Sequence, residues 1–369
     1  MSRRLFYTFL LLYTIALVYL ASVIPIGSHE ATVYYTDTNI LYYLTHLTNG
    51  VFRNSLDFRF PFLLFGLINI PLFFIMSRLY FSEKEESYFA TMVFALLPGI
   101  VTSAIVVNIA VIVITFVLGF IIFYEKKKVF CQILTMVALL LIHDASVIFF
   151  ISLAIFSAFR RDRVLFAISI ILTAISLLYF NGLTIAGRPK GEFLELFGLY
   201  IALFSPLVFI YFFYAIYRIW LREKKDILWY ISFTAFVLSI LLSLRQRVDM
   251  TDFAPYVIVS VILMIVTYQK TLKVRLPQFQ KWYRRGFSLV LFSLFFSFFV
   301  ILFHKSFFYI LDDKTKHFAY DFYEPYWMVK ELKEIEQDCY TARNKKVQYQ
   351  FKYYGMDACQ DRDVPKIHN

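Results

Sequence analysis

The chain has 369 residues, of which 60% are hydrophobic and only 17% charged, with a mean hydropathy of +0.65 and a net charge of +11. A soluble domain carries about 45–50% apolar and about 25% charged residues, so this composition excludes one and indicates an integral membrane protein. The basic residues sit in short clusters between apolar runs, at 3–4, 126–128, 160–163, 218–225 and 270–285, which is the positive-inside pattern and excludes a nucleic-acid patch.

In chain order the apolar runs predict spans at 5–24, 60–79, 89–105, 107–124, 129–142, 145–159, 164–181, 197–217, 227–244, 253–269 and 286–303. The expectation is therefore an all-α, polytopic transmembrane helical bundle of about eleven spans. Arg3 and Arg4 place the N-terminus in the cytoplasm, an odd count places the C-terminus outside, and each basic cluster then falls on the cytoplasmic side. The first run has no small-residue cleavage site and is long enough to stay as an anchor. The thirty or so residues between Lys128 and Arg160 are short for two crossings, so they are expected to form a hairpin whose apex, His143-Asp144, is sunk below the outer surface. The run 89–124 is similarly tight, with Asn108 near its apex. Sunken polar apices are tolerated where they line a watered, protein-walled cavity.

The first outer loop, 25–58, repeats apolar residues at Ile40, Leu44, Leu47 and Val51, with Asp37 or Asn39 as N-cap and Asn49-Gly50 as a stop. That pattern fits a short amphipathic helix, either lying in the membrane interface or packed on the bundle. Residues 1–303 are expected to form the membrane domain and 304–369 a small polar tail outside it. Within the tail, 321–337 reads as an amphipathic helix and 346–354 alternates like a strand. Cys339 and Cys359 would pair there if the tail faces an oxidising compartment, whereas Cys131 lies within a span.

Ionisable groups at span mouths are costly near hydrocarbon and are functional candidates by default. The outer face gathers His29, Glu30, Asp37, His46, Arg53, Asp57 and Arg59 from the first loop, and His143 with Asp144 from the hairpin apex. The 182–196 loop adds Arg188, Lys190, Glu192 and Glu195, and the 245–252 loop adds Arg245, Arg247, Asp249 and Asp252. A carboxylate there can act as a general base or hold a metal, and an arginine fork suits a lipid phosphate. There is no Walker loop, dinucleotide-binding glycine motif, HExxH or paired CxxC. The cytoplasmic loops are too short for a nucleotide-sugar-binding domain, so an enzyme of this form needs a donor that reaches the outer leaflet, and a lipid-linked one fits.

Several motifs share an order and spacing with a known class. His29-Glu30-Ala31 with Tyr34-Tyr35 precedes the 39–50 helix, and Arg59-Phe60-Pro61 opens the second span. Then come Ser77-Arg78-Leu79-Tyr80-Phe81, a third span from Ala90 to Pro98-Gly99, and late in the chain Arg245-Gln246-Arg247 running to Pro255-Tyr256. Over residues 1–160, and more faintly over 227–270, the chain resembles GT-C membrane glycosyltransferases of the protein mannosyltransferase and aminoarabinose transferase type. It departs from their pattern at His29, where an acid is usual, at Asn108 in place of an outer Asp, and at His143-Asp144 in place of a Lys-containing turn.

The resemblance implies transfer of a sugar from a polyprenyl-phosphate donor to a lipid or protein acceptor on the outer face, with the bacterial inner (plasma) membrane as the expected location. It implies Glu30 as catalytic or acceptor-positioning acid and Asp144 as a second acid. Arg245, Arg247 and Arg59 would hold the donor phosphate, with His29, His143, Asn108 and Arg188 as auxiliaries. No cofactor is certain from it, and a divalent metal at the carboxylates is left open. Two other readings stand beside it. An envelope polysaccharide polymerase or ligase would use a polyprenyl-diphosphate donor. A transporter or flippase of lipid-linked sugars would show repeats and midplane polar groups, which are not evident in this chain.

Overall fold

The computed structural model describes residues 2–36, 39–52, 54–180 and 192–359. Among these residues the architecture is helical, with a single isolated bridge between Cys339 and Asp357. The helices, in chain order, are α1 (Arg3–Val23), α2 (Ser28–Thr36), α3 (Ile40–His46), α4 (Leu56–Tyr80), α5 (Lys84–Ala95), α6 (Pro98–Ile105) and α7 (Ile109–Glu125). They continue with α8 (Val129–Ile142), α9 (Val147–Arg160), α10 (Arg163–Tyr179), α11 (Phe193–Phe204), α12 (Pro206–Arg222), α13 (Ile227–Ser243), α14 (Met250–Ile258) and α15 (Val261–Val274). The last are α16 (Pro277–Leu302), α17 (His304–Ile310), α18 (Tyr320–Glu334) and α19 (Lys345–Tyr353).

Every expected span coincides with a helix or a helix pair. Four are long and apolar enough to cross a bilayer alone: α1, α4, the continuous α14–α15 run and α16. The run 89–105 is a bent helix pair, α5 and α6 meeting at 62°. The run 197–217, expected as one crossing, is instead two helices that meet at 105°. The cause lies at Ser205, whose φ of 77° and ψ of 151° turn the chain just before Pro206 opens α12. A residue preceding proline is pushed out of the helical region, so one hydropathy peak covers two directions of chain. Helices α8 and α9 have 14 residues each, about 21 Å at 1.5 Å per residue, short of a hydrocarbon core of about 30 Å. Among their neighbours, α8 packs chiefly on α7, while α9 packs on α10 and α13.

The chain divides into two compact units. The larger holds residues 1–14, 64–104 and 108–299. Its helices pack through aromatic pairs such as Phe73 on Phe94, stacked 3.9 Å apart. Buried polar clasps also join them. Asn69 Nδ2 donates to the Val111 carbonyl at 2.9 Å and Asn69 Oδ1 accepts from Thr115 Oγ1 at 2.8 Å, while the hydroxyls of Tyr200 and Ser239 meet at 2.9 Å. In an apolar environment such polar pairs contribute on the order of 0.6 kcal/mol each and fix register. The closest approach needs a glycine. A Cβ on Gly66 would lie 2.4 Å from Ala104 Cβ.

The smaller unit holds residues 15–63, 105–107 and 300–369. The described part of the tail, 304–359, thus belongs to one unit with the described residues of 25–58. Helix α19 packs along α2, Tyr354 Oη accepts from the Ile26 amide at 3.1 Å, and Gln350 Nε2 donates to the Ile26 carbonyl at 2.9 Å. The strand expected at 346–354 is this helix α19. Asn344 caps it, its Oδ1 accepting from the Lys346 amide at 2.9 Å, and Gly355 at φ +78° ends it. Gln350, Phe351 and half-buried Val347 share its inner face at helical spacing, so capping and packing prevail over the polar–apolar alternation. The amphipathic helix expected over 39–50 is the shorter α3, Ile40–His46, whose buried residues are Leu41 and Thr45, while Ile40 and Tyr43 are exposed, as are Leu47 and Val51 in the turn that follows it.

Candidate functional site

Glu30 and Arg59 come together in the smaller unit. Both are buried, Arg59 completely. Glu30 lies in the first turn of α2 and its Oε2 accepts from the Gly27 amide at 2.8 Å, the acid half of a capping box. Its Oε1 accepts from the Val107 amide and from Arg59 Nε, both at 2.8 Å, and Oε2 also accepts from Arg59 Nη2. Arg59 Nη1 donates to the carbonyls of Ala21 (3.1 Å) and Ile24 (2.7 Å), and Nη2 to that of Pro25 at 2.9 Å.

All five guanidinium hydrogens and all four carboxylate lone-pair directions are therefore used inside the protein. This corrects the expectation that Arg59 holds a donor phosphate, since it has no N–H left to give and no exposed face. It also leaves Glu30 with no oxygen open to an acceptor hydroxyl. The pair joins the end of α1, the start of α2, α4 and the 105–107 segment, and its role in this geometry is to shape the loop.

A second polar cluster forms in the larger unit, at the pole where α8 gives way to α9 and α13 to α14. A 3-10 turn, Asp144–Ser146, follows His143 and leads into α9. Opposite it Asp249 caps α14, its Oδ1 accepting from the Thr251 amide and hydroxyl, each at 2.9 Å. His143 Nε2 stands 3.5 Å from Asp252 Oδ1. Tyr256, one turn beyond Asp252, stacks on Phe149 with ring centroids 5.8 Å apart.

Three buried polar atoms here have no hydrogen-bond partner in the protein: His143 Nε2, Ser146 Oγ and Tyr256 Oη. Buried polar atoms are ordinarily satisfied, so three around one junction mark a place that accepts another group or water. Burial pushes the His143 imidazole down to about 4, against a smaller opposing pull from Asp249, so it is neutral at physiological pH. The start of α11 joins this pole, for Glu195 Oε1 lies 2.7 Å from Arg247 Nη2. Both partners are largely exposed, so the pair is worth little and an incoming phosphate would compete for Arg247 on fair terms. Arg245, two residues away, is exposed on the same loop.

Of the other expected residues, Asn108 caps α7, its Oδ1 accepting from the Ala110 amide at 2.8 Å, and this accounts for its polarity. His29 is exposed on α2, beside Glu30 in sequence. Arg188 lies outside the described residues. A disulfide joins Cys339 and Cys359, with Cα atoms 4.9 Å apart. Among the described residues no group of three His, Cys, Asp or Glu is arranged to hold a metal ion. Ser146 was not singled out from sequence, and Tyr256 entered only as the end of the motif that runs from Arg245 to Pro255-Tyr256. The signal for Ser146 is position alone, two residues after Asp144.

No protein-family model matches the chain, and no curated protein matches it by sequence. Among solved structures, the crystal structure of ArnT from Cupriavidus metallidurans in the apo state matches with a TM-score of 0.58 and 11% identity, covering 94% of this chain and 84% of that one. At that identity the likeness speaks for the fold alone. In fold, this integral membrane chain is similar to a GT-C glycosyltransferase of the aminoarabinose transferase type, the class its motifs resemble.

Proposed function

We propose that the chain is a membrane glycosyltransferase that moves a sugar from a polyprenyl-phosphate donor to a lipid or protein acceptor at the outer face of a bacterial plasma membrane. The observation that carries this reading is the cluster of unpartnered buried polar atoms and carboxylates at the α8–α9 and α13–α14 pole, in a chain with a GT-C fold. One carboxylate of Asp144 or Asp252 takes the proton of the acceptor hydroxyl. The acceptor oxygen bonds to the sugar's anomeric carbon, the bond from that carbon to the phosphate oxygen breaks, and polyprenyl phosphate leaves. Arg245 and Arg247 meet the charge that develops on the leaving phosphate. In this reading neutral His143 and the hydroxyls of Ser146 and Tyr256 hydrogen-bond the sugar, which their lack of partners within the protein supports. Glu30 and Arg59 hold the first loop in shape and take no part in the chemistry. The Cys339–Cys359 disulfide supports an oxidising, extracytoplasmic side for the tail, and with it the cytoplasmic N-terminus.

The test is release of free polyprenyl phosphate from labelled polyprenyl-phosphate sugars by purified protein. Wild type should release it, Asp252→Asn or Asp144→Asn should lose about 10²–10⁴-fold in rate with the fold intact, and Arg247→Gln should mainly raise KM. No release across several sugars by a folded protein would overturn the reading in favour of a diphosphate donor or transport.

A further inference from the structure

At the opposite end of α13 from that pole lies a cavity of about 450 Å³ formed by the C-terminal turns of α12 and α15. α13 has 17 residues, so the two ends are about 25 Å apart along its axis. Arg218, Arg222 and Arg275 line the cavity, with the aliphatic side chains of Leu221 and Val274 at its rim, both exposed. Arg218 is held in place. It bonds to Thr271 Oγ1 across the helix pair and lies 3.9 Å from Glu223. Glu223 is the one carboxylate of the group, and it is shared with Lys270, whose Nζ is 2.5 Å away.

Among the described residues no carboxylate pairs with Arg222 or Arg275, and Arg275 lies over the Tyr283 ring at 4.3 Å. Cations in a last helical turn complement the helix dipole, which accounts for one such charge per helix. Here three guanidinium groups converge on one cavity, against one carboxylate that is already engaged. The excess positive charge and the apolar rim together describe an anionic amphiphile. A phosphodiester would sit in the forks of Arg222 and Arg275, and acyl chains would run along Leu221 and Val274.

We propose that this cavity is a binding site for the headgroup of an anionic phospholipid of the surrounding bilayer, separate from the glycosyl-transfer site and independent of that assignment. The test uses the full chain, delipidated and placed in phosphatidylcholine nanodiscs, with phosphatidylglycerol titrated in and bound lipid read by native mass spectrometry. Wild type should retain phosphatidylglycerol over phosphatidylcholine by about thirtyfold, the worth of two arginines at a membrane surface. The Arg222→Gln/Arg275→Gln double variant should lose that preference, while Lys273→Gln, an exposed cation of the same turn outside the cavity, should keep it. Arg218 is left intact because it ties α12 to α15. Equal retention by the double variant and wild type would overturn the proposal. So would displacement of phosphatidylglycerol by millimolar inorganic phosphate, which would make this a site for soluble anions.

Discussion

Replacing Glu30 by Gln separates a structural from a chemical role for the residue on which the sequence pattern places most weight. The carboxylate accepts four hydrogen bonds, two from Arg59 and one each from the Gly27 and Val107 amides. A carboxamide supplies one oxygen and one NH2, so in either orientation its NH2 faces one Arg59 N–H and one backbone N–H. Two buried donors then lack an acceptor, at about 1–3 kcal/mol each. The Arg59 charge also keeps only its three carbonyl partners in a site that water does not reach. Removing one member of a buried ion pair costs about 3–5 kcal/mol, and the expected loss for Glu30→Gln falls in that range.

Arg59→Met should cost a similar amount, because it strands the carboxylate and three carbonyls. The double variant should be less damaged than the sum of the two, with a coupling of about 2 kcal/mol, since it leaves neither charge alone. The assay is SDS-driven unfolding in mixed micelles, followed by tryptophan fluorescence, on all four proteins. Additive losses, or single-variant losses below about 0.5 kcal/mol, would refute the structural assignment. Unchanged stability with lost turnover in Glu30→Gln would return the residue to the chemistry.

Replacing Cys339 and Cys359 by Ser opens a loop of 20 residues and should destabilise the α18–α19 segment by about 3 kcal/mol, read as loss of hydrogen-exchange protection there but not in α13. Gly66→Ala drives a methyl group to 2.4 Å from Ala104 Cβ and should cost about 1–3 kcal/mol, which Ala104→Gly should largely restore in the same unfolding assay. His143, held near 4 against an ordinary 6.5, binds its proton more weakly folded than unfolded, so the part of the stability that depends on it, read as wild type minus His143→Gln, should fall as pH drops from about 6.5 to 4. The loss is on the order of 3 kcal/mol, and a His143→Gln variant whose stability falls as steeply over that window would refute it.

Hydropathy located the membrane helices because lipid-facing apolar length is a one-dimensional property. Exposed Leu11, Leu12 and Ile15 on α1, and Leu289, Phe292 and Phe296 on α16, are direct readouts of it. Direction of chain is not such a property, which is why 197–217 looked like one span. The Ser205-Pro206 step held the missing signal, since the residue before a proline avoids helical ψ. The α3 stripe was legible, but whether it faced lipid or protein depended on what packs at Leu41 and Thr45. At 346–354 a polar–apolar alternation outweighed Asn344 and Gly355, although those caps describe a helix start and stop. The polar pole was half legible. Asp249 and Asp252 were visible as outer-loop acids, whereas Ser146 and Tyr256 matter only because no partner reaches their buried oxygens.

The general rule that a charge near hydrocarbon must be compensated holds at both polar sites, but the compensator differs. At Glu30 the protein supplies all of it, as donors and acceptors balance within the chain and nothing remains to recognise a ligand. At the α8–α9 and α13–α14 pole the balance does not close, because Nε2 of His143, Oγ of Ser146 and Oη of Tyr256 are buried without a hydrogen-bond partner in the protein, His143 having only its 3.5 Å approach to Asp252. The two cases have the same appearance in sequence, an acid beside a histidine after an apolar run: His29-Glu30 in one, His143-Asp144 in the other. Only the local count of hydrogen-bond donors and acceptors tells them apart. That count moves the expected chemistry from Glu30 to Asp144 and Asp252, and the Glu30→Gln and Asp252→Asn variants should therefore fail in opposite ways. The first should lose stability before turnover is measured, and the second should lose turnover while remaining folded.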